Sequence, residues 1–510
     1  MEIELKLLVR PQDAATLREL PLLQQYAAGP ARELQMADTY FDTARHQLKE
    51  AGAGLRVRRV GDDYIQTLKA GGDANAGLHR RYEWESKVAG PQPDLPALRA
   101  LVDRNAPWSK LLRAPAIENA LAPIFQSNVT RTLWDLRLPD GDRIDFALDI
   151  GKLECGDETV PVSEIELELK SGNAIHLFDL ALALHEKIPM QIGTMSKAER
   201  GYSLCRPRPR AATGSVPVQL AKRGNVEQAF KTIAASCLAQ VQANAAGVVH
   251  DYDSESLHQM RVGLRRLRSA LGVFKDIVQL PADLQQDVDW LANELGNARD
   301  WDVLAGSTLP LLAKDMPAGG PLLEVTHAAL DSGRDAHVAA AAAINSPRYT
   351  RLMLSLGRWM FGNGWREPGK GKGKSPLDAP LPAFAGKVLR RAHKRMKKRG
   401  RALAGASPDT LHRARIAAKK ARYATEFFAS LYRGKQVRPV VKALAALQDE
   451  LGKVNDAAVA GRLLGQLENV RHDLAGAIAP VRAALAERAA GSGGKARKLW
   501  KRYTAVKLPR

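Results

Sequence analysis

The sequence predicts an α+β protein of two domains, an N-terminal antiparallel β-barrel followed by an all-α domain. Short segments of alternating polar and apolar residues, separated by turn residues, fill the first 205 positions. Beyond them the pattern is helical almost throughout and rich in Ala, Leu and Arg. The charge changes at the same place: residues 1–205 hold 25 basic and 30 acidic residues, and the remainder holds 51 and 25. The second domain is therefore expected to meet a polyanion.

A chain of 510 residues is too long for one core. The boundaries that we expect are 1–205 for the barrel domain, 206–221 for a linker, 222–505 for the helical domain, about 222–345 and 383–505 for its halves, and 362–382 for a flexible segment.

The sequence lacks the features of a secreted or membrane-spanning protein. No apolar run approaches the roughly 20 residues of a membrane span, and the start does not resemble a signal peptide. We expect a cytoplasmic protein. Cys155, Cys205 and Cys237 lie far apart and match neither a disulfide framework nor a zinc pattern, so we expect unpaired thiols.

The first strand carries the most informative local pattern, Glu-Ile-Glu-Leu-Lys. Alternation on a strand puts Glu2, Glu4 and Lys6 on one face and apolar residues on the other. Two carboxylates about 7 Å apart repel one another unless a cation lies between them, and oxygen ligands suit a divalent ion. The neighbouring lysine indicates an anionic substrate. For this segment alone, a solvated sheet face is the simpler interpretation.

The following segments extend the pattern. A helix is predicted over 13–26, and further helices over 94–102, 107–122 and 174–186. Seven more strands are predicted at 38–42, 55–59, 64–69, 80–85, 129–134, 143–149 and 164–170. Many of these strands place charges on one face. A closed barrel with a wet, charged interior accounts for that placement, because interior and exterior positions alternate along each strand.

The ordered motifs resemble the CYTH-type triphosphate tunnel metalloenzymes. The resemblance rests on Glu2-Ile-Glu-Leu-Lys6, Tyr40-Phe-Asp-Thr43, Leu55-Arg-Val-Arg58, Thr67-Leu-Lys69, Arg81-Tyr-Glu-Trp-Glu85, Asp149-Ile-Gly151, Glu164-Ile-Glu-Leu-Glu168 and Ser196-Lys-Ala-Glu-Arg-Gly-Tyr202. It implies an eight-stranded tunnel that hydrolyses inorganic triphosphate with Mg²⁺ or Mn²⁺. A thiamine or nucleoside triphosphatase and an adenylate cyclase are the alternatives within the same tunnel.

The resemblance also implies roles for single residues. The implied catalytic residues are Glu2, Glu4, Lys6, Glu166 and Glu168. The implied metal ligands are Glu2, Glu4, Asp149, Glu164, Glu166 and Glu168. The implied phosphate-binding residues are Lys6, Arg56, Arg58, Lys69, Arg81, Arg131, Lys197 and Arg200.

The helical domain contains an internal repeat. Residues 256–268 parallel residues 410–422, and 295–300 parallel 451–456, so two related helical bundles are expected. In each copy a histidine and three basic residues recur at spacings of three and four and line one helix face. Such a face costs stability unless an anion or an acidic helix covers it; a solvated basic face is the alternative.

These segments resemble the CHAD domain, a conserved-histidine helical domain of two four-helix bundles that binds inorganic polyphosphate. The resemblance implies polyphosphate as a partner and polyphosphate granules as an optional location within the cytoplasm. The implied binding residues are His258, Arg261, Arg265, Arg266, Arg268, His412, Arg415, Lys419, Lys420 and Arg422. Nucleic acid is a less favoured partner, because aromatic residues are few and are not interleaved with the basic segments. A nonenzymatic polyphosphate- or nucleic-acid-binding protein is the remaining alternative.

Overall fold

The computed structural model describes residues 1–104, 106–206, 211–313, 316, 320–366, 375–403, 407–490 and 493–509. These residues form two compact units. The first comprises Met1–Arg210 with Ser346–Gly364, and the second comprises Ala211–Asn345 with Trp365–Arg510. The segment 346–364 lies inside the expected helical domain but packs with the first unit. Part of the expected linker, 207–210, and part of the expected flexible segment, 367–374, lie outside the described residues.

The strands of the first unit form a closed antiparallel barrel. They are β1 Glu2–Leu8, β2 Arg32–Asp42, β3 Ala53–Val60, β4 Asp63–Asn75, β5 Leu78–Val88, β6 Ala122–Arg137, β7 Arg143–Cys155, β8 Glu158–Ser171 and the two-residue β9 Gln191–Ile192. The order is β5-β4-β3-β2-β6-β7-β8-β1, and pairing of β5 with β1 closes the ring. The predicted fold class is confirmed.

Apolar positions of the strands face outward, onto helices. Leu5, Leu7 and Leu167 are fully buried in one cluster with Phe178 and Leu354, which come from helices outside the barrel. Burying the outer face in this way leaves the alternate, charged positions to face inward. In β4 the register shifts between Ala70 and Asp73. Gly72 permits this bulge, because its φ is +93° and a Cβ there would lie 1.6 Å from the Arg80 carbonyl oxygen.

The helices of the first unit are mostly short. They are α1 Ala14–Arg18, α2 Pro21–Tyr26, α3 Gln47–Glu50, α4 Leu95–Leu101, α5 Pro107–Leu112, α6 Pro115–Glu118, α7 Ile175–Lys187 and α8 Lys197–Cys205, together with α14 Pro347–Phe361. The single helix predicted over 13–26 is wrong in one respect. It is interrupted between α1 and α2, where Pro21 starts a new helix and holds Leu20 in an extended conformation.

The prediction of three unpaired thiols is also wrong. Cys155, at the end of β7, and Cys205, at the end of α8, form a disulfide with their Cα atoms 5.4 Å apart. Their separation of 50 residues hid the pairing from the sequence. Cys237 is free and buried.

The second unit consists of helices. They are α9 Val226–His250, α10 Ser254–Phe274, α11 Ala282–Val303, α12 Leu309–Leu312, α13 Pro321–Asn345, α15 Leu381–Gly400, α16 Pro408–Phe427, α17 Gly434–Val470, α18 Ala475–Ala490 and α19 Gly493–Ala505. One group is formed by α9, α10, α11 and α13, and a second by α15, α16, α17 and α19. Helix α10 contacts α16, so the two copies of the repeat meet.

Helix α9 is the one helix in the described parts of the chain that is long and apolar enough to cross a membrane by length and composition. Its apolar window is 56% buried. Phe230, Ile233 and Val241 are fully buried, which is the environment of a core helix.

Candidate active site and anion groove

Inward-facing side chains line a cavity of about 600 Å³ in the barrel. Its wall carries charges of both signs in similar number. The acidic residues are Glu2, Glu4, Glu83, Glu85, Asp145, Glu166, Glu168 and Glu199. The basic residues are Lys6, Lys49, Arg56, Arg58, Lys69, Arg81, Arg131, Lys170 and Lys197. A highly charged anion can enter such a cavity together with a cation, because the cation offsets part of the anion's charge and the basic residues of the wall offset more.

Strand register places the two acidic ladders of the sequence side by side. In the β1–β8 pair, Glu4 lies opposite Glu168 and Lys6 lies opposite Glu166. In the β1–β5 pair, Glu2 lies opposite Arg81. Strand β1 therefore stands between an acidic and a basic neighbour.

Lys197 is at the centre of the most acidic part of the wall. It is the first residue of α8, whose N-terminus is fixed by a capping box between Ser196 and Glu199. Its Nζ donates to Asp149 Oδ2 at 2.6 Å, Glu164 Oε1 at 2.5 Å and Glu166 Oε1 at 3.0 Å. Burial would lower the pKa of Lys197, but the three carboxylates outweigh it and raise that pKa.

Lys6 is buried against the same carboxylates. Its Nζ lies 3.0 Å from Glu164 Oε1 and 3.8 Å from Glu4 Oε1, and it contacts Glu166. Although burial opposes the charge, these carboxylates raise the pKa of Lys6 well above its ordinary value. Burial likewise opposes ionisation of Glu166, but Lys197 and Lys6 bring its pKa well below the ordinary value. Both groups stay charged at neutral pH.

Arg131 and Arg200 complete this cluster. Arg131 binds both oxygens of Asp149 at 2.7 Å and reaches Glu166 Oε2 at 2.5 Å. Arg200 Nη1 donates to Glu164 Oε2 at 3.0 Å. The bidentate geometry to Asp149 is the strong arrangement for a guanidinium and a carboxylate. The sequence-predicted residues of this cluster therefore do converge.

A second group lies around Lys69. Its Nζ is 2.7 Å from both Glu2 oxygens and 3.3 Å from Glu83. Burial raises the pKa of Glu2 to about 7, against the attraction of Lys69. Glu168 pairs instead with Lys170, at 2.7 Å.

Arg56 and Arg58 are held by Asp38, which is not among the predicted site residues. Arg58 makes two hydrogen bonds to Asp38, at 2.7 and 2.9 Å, and Arg56 Nη1 makes a third at 3.4 Å. Burial opposes ionisation of Asp38, but the two arginines lower its pKa to about 2. The alternation of side chains along β2 could have predicted this role, because Asp38 lies two residues before Tyr40, which lines the cavity. The remaining predicted phosphate-binding residue, Arg81, lies 3.3 Å from Glu199.

The donor set suits a hard divalent cation. Asp149, Glu164 and Glu166 each offer an oxygen within 4.8 Å of the others, and carboxylate oxygens are the preferred ligands of Mg²⁺ and Mn²⁺. The ammonium of Lys197 already lies at the point where these three converge. Glu4 has fewer cationic partners than these three carboxylates, since Lys6 at 3.8 Å is its one ion-pair partner among the described residues. The carboxylates of β1 and β8 therefore fit the ion chemically.

The helical unit brings the basic faces of the two repeat copies together where α10 contacts α16, and we refer to the cleft between these two helices' basic side chains as the groove. Arg261 of α10 donates to the Gly296 carbonyl at 2.8 Å and to Asp300 at 3.2 Å. Arg265 donates to the Tyr423 hydroxyl of α16 at 2.8 Å. In the first copy, the glycine and aspartate of the motif at 295–300 therefore support the arginine of the neighbouring helix.

Cations crowd one another in this groove. Burial, followed by the fields of Arg265 and Arg415, lowers the pKa of Lys419 to about 7. Burial also lowers the pKa of Arg261 and of His258, and neighbouring arginines add to the effect at His258. The cost of holding like charges together is relieved by a bound anion.

The other predicted groove residues are placed differently. Arg266 is buried, 5% exposed, with its guanidinium over the Phe427 ring. Arg268 pairs with Asp289 at 3.1 Å, and Arg422 with Glu426 at 3.3 Å. His412 and Lys420 are exposed. His412 Nδ1 lies 3.3 Å from the Asn455 amide oxygen, where the first copy has Arg299.

Two family models match the chain, a CYTH domain over residues 1–202 and a CHAD domain over 232–465. A Haemophilus influenzae protein named inorganic triphosphatase is 34% identical over 208 residues. That match covers 40% of this chain and 54% of the relative, so about half of the relative's length is spanned. The crystal structure of the CHAD domain from the plant Ricinus communis is 39% identical, with a TM-score of 0.54. It covers 59% of this chain and 99% of that one. The chain therefore belongs to the CHAD-domain family and carries a CYTH domain at its N-terminus.

Proposed function

We propose that the barrel hydrolyses inorganic triphosphate to diphosphate and phosphate, using Mg²⁺ or Mn²⁺. The observation that carries the proposal is the cavity itself, whose lining holds cations and carboxylates in similar number. Triphosphate carries four to five negative charges, and its hydrolysis depends on positioning and charge neutralisation. The name of the Haemophilus influenzae relative supports this substrate. In this proposal, residues 1–205 form the catalytic domain and residues 222–505 form the helical domain.

The predicted phosphate-binding residues, which we call the phosphate clamp, bind and orient the substrate in this proposal. Arg56 is suited to the task because its Nε is buried and has no hydrogen-bond partner among the described residues. A substrate oxygen would satisfy that donor. Lys69, Arg81, Arg131 and Lys197 exchange part of their contacts with carboxylates for contacts with phosphate.

The carboxylates have two tasks in the proposal. Glu2, Glu4, Glu166 and Glu168 hold the divalent ion, with support from Asp149 and Glu164. The bound ion supplies neutralisation of the phosphate oxygens. A carboxylate of this set accepts the proton of the attacking water, which an ionised group can do at neutral pH.

A substrate panel tests the proposal. Phosphate release is measured from tripolyphosphate, thiamine triphosphate, ATP and long polyphosphate, with Mg²⁺, with Mn²⁺ and with EDTA. We expect the highest kcat/KM for tripolyphosphate and loss of turnover in EDTA. Preference for thiamine triphosphate or ATP, or release of diphosphate with a cyclic nucleotide, would replace the assignment by one of the alternative activities. Undiminished turnover in EDTA would remove the metal from the proposal.

We further propose that the groove between α10 and α16 binds inorganic polyphosphate. The crowding that lowers the pKa of Lys419 supports an anion site there. His258, Arg261, Arg265 and Arg415 would contact a thin, flexible chain of phosphates along the groove. Filter binding of labelled polyphosphate to the full-length protein tests this. A combined Arg261→Ala and Arg415→Ala variant should bind at least tenfold more weakly while it still hydrolyses tripolyphosphate. Unchanged binding would place polyphosphate elsewhere.

A further inference from the structure

Helices α15 and α19 form a second basic surface, separate from the groove. Eight lysines and arginines of α15 and five of α19 are exposed, and neither helix contains an acidic residue. Among the described residues, two of these thirteen have an acidic partner: Arg391 lies 2.9 Å from Asp276, and Lys495 lies 3.8 Å from Glu450. We call this the α15–α19 surface.

The two helices are packed together, so their charges are presented jointly. His393 of α15 is hydrogen-bonded to the Tyr503 hydroxyl of α19 at 2.7 Å. Gly400 lies against Trp500 so closely that a Cβ would be 1.8 Å from the indole nitrogen. The higher-numbered residue of α15 meets the lower-numbered residue of α19, so the helices run in opposite directions at this contact.

The like charges on α15 destabilise the folded protein. Arg390, Lys394 and Lys398 follow one another at four-residue spacing, and like charges at that spacing destabilise a helix. The cost falls when a polyanion covers the surface. From Lys387 to Lys398 the row of cations is about 17 Å long at 1.5 Å per residue, which reaches past several phosphates of a nucleic acid strand.

The exposure of these cations distinguishes the surface from the groove. Lys419 and Arg415 in the groove are half-buried, whereas Lys394, Lys398 and Lys501 are exposed. A thin polyphosphate chain gains most from a recess that surrounds it. An open face of flexible cations suits a broad, rigid polyanion whose phosphates are already spaced apart.

We propose that the α15–α19 surface binds the phosphate backbone of a nucleic acid duplex, without sequence specificity. Contacts from lysine and arginine to the phosphate backbone need no stacking residues. The scarcity of aromatic residues therefore argues against binding of single-stranded nucleic acid but not against binding of a duplex. None of the large exposed hydrophobic residues lies on α15 or α19 within the described residues. The surface therefore lacks the apolar groups that an inserting membrane helix presents.

The test is fluorescence anisotropy of a labelled 20-base-pair duplex with the full-length protein at several salt concentrations. The surface variant is Lys397→Glu, Lys398→Glu and Lys501→Glu. The control variant, Lys110→Glu, Arg113→Glu and Lys187→Glu, changes the net charge equally at exposed positions of the first unit. We expect the surface variant to lose at least tenfold in affinity for the duplex. The slope of log K against log salt should become shallower by about 3 in magnitude. The control variant should lose less than threefold.

Three outcomes would overturn the proposal: equal losses in both variants, full displacement of duplex by stoichiometric polyphosphate, or stronger binding to anionic phosphatidylserine vesicles than to duplex. Polyphosphate binding by the surface variant should be unchanged, which separates this surface from the groove. A second variant, Lys397→Gln, Lys398→Gln and Lys501→Gln, removes the same charges without reversing them. Thermal unfolding at the wild-type temperature shows that this variant is folded. It should show about half the loss in log affinity of the glutamate variant.

Discussion

Lys6 and Glu164 form an ion pair that is almost completely removed from solvent. Nζ lies 3.0 Å from Oε1, and the side chains are 1% and 0% exposed. Glu164 also accepts from Lys197 and Arg200, so one carboxylate compensates three buried or half-buried cations. A buried charge in such a network is stable only while its partners are present.

The first prediction concerns the stability of this network. Glu164→Gln leaves Lys6 and Lys197 with less compensation, so we expect a loss of about 3 kcal/mol in the free energy of unfolding. Glu168→Gln removes a carboxylate that is 28% exposed and paired with Lys170, so a loss below about 1 kcal/mol is expected. Urea unfolding of both variants, followed by tryptophan fluorescence, compares them. Equal losses would show that burial of Glu164 does not set its contribution.

The second prediction concerns metal binding. Glu4→Gln should keep the fold but lower turnover of tripolyphosphate at least about 100-fold, because an amide compensates a divalent cation less well. Isothermal titration with Mn²⁺ should show weaker binding in the same variant. Glu158→Gln, on the same barrel but exposed, is the control and should behave as wild type. Normal Mn²⁺ affinity in Glu4→Gln would remove Glu4 from the ligand set.

The third prediction concerns the phosphate clamp and uses one strand, β3. Arg56 faces the cavity, whereas Arg59 is exposed and donates to the Gly61 carbonyl. Arg56→Ala should lower kcat/KM for tripolyphosphate by about 100-fold, since its contacts act in both the ground and transition states. Arg59→Ala should change it less than twofold. Steady-state kinetics of the two variants decides whether the interior of the barrel is the site.

The fourth prediction is a pH dependence of polyphosphate binding. The pKa of Lys419 is about 7 in the free protein, and a bound polyanion raises it toward the ordinary 10.5. At pH values between these two pKa values, Lys419 takes up a proton when polyphosphate binds. The affinity for polyphosphate should therefore fall as pH rises above 7, by up to tenfold per pH unit. Below pH 7 this contribution should be flat. Lys419→Arg, which stays charged, should lose the slope; an unchanged slope would assign it to another group.

Much of the architecture follows from local pattern. Two-residue alternation placed Glu2, Glu4 and Lys6 on one face, and the outward burial of Leu5 and Leu7 confirms the side on which that face lies. The helical repeat predicted one basic face on each of α10 and α16. Both signals are short-range: side-chain direction on a strand or helix depends on spacing alone.

Only the tertiary structure decided the partners. Asp38 binds Arg58 because β2 and β3 pair in one register, and a shift by one residue would turn Asp38 outward. Lys197 reaches Asp149, Glu164 and Glu166 because α8 begins over the barrel. The bond between Cys155 and Cys205, and the packing of α14 with the first unit, likewise depend on contacts between distant segments. The sequence by itself therefore determined which residue types face the interior, and long-range packing determined which charges meet there.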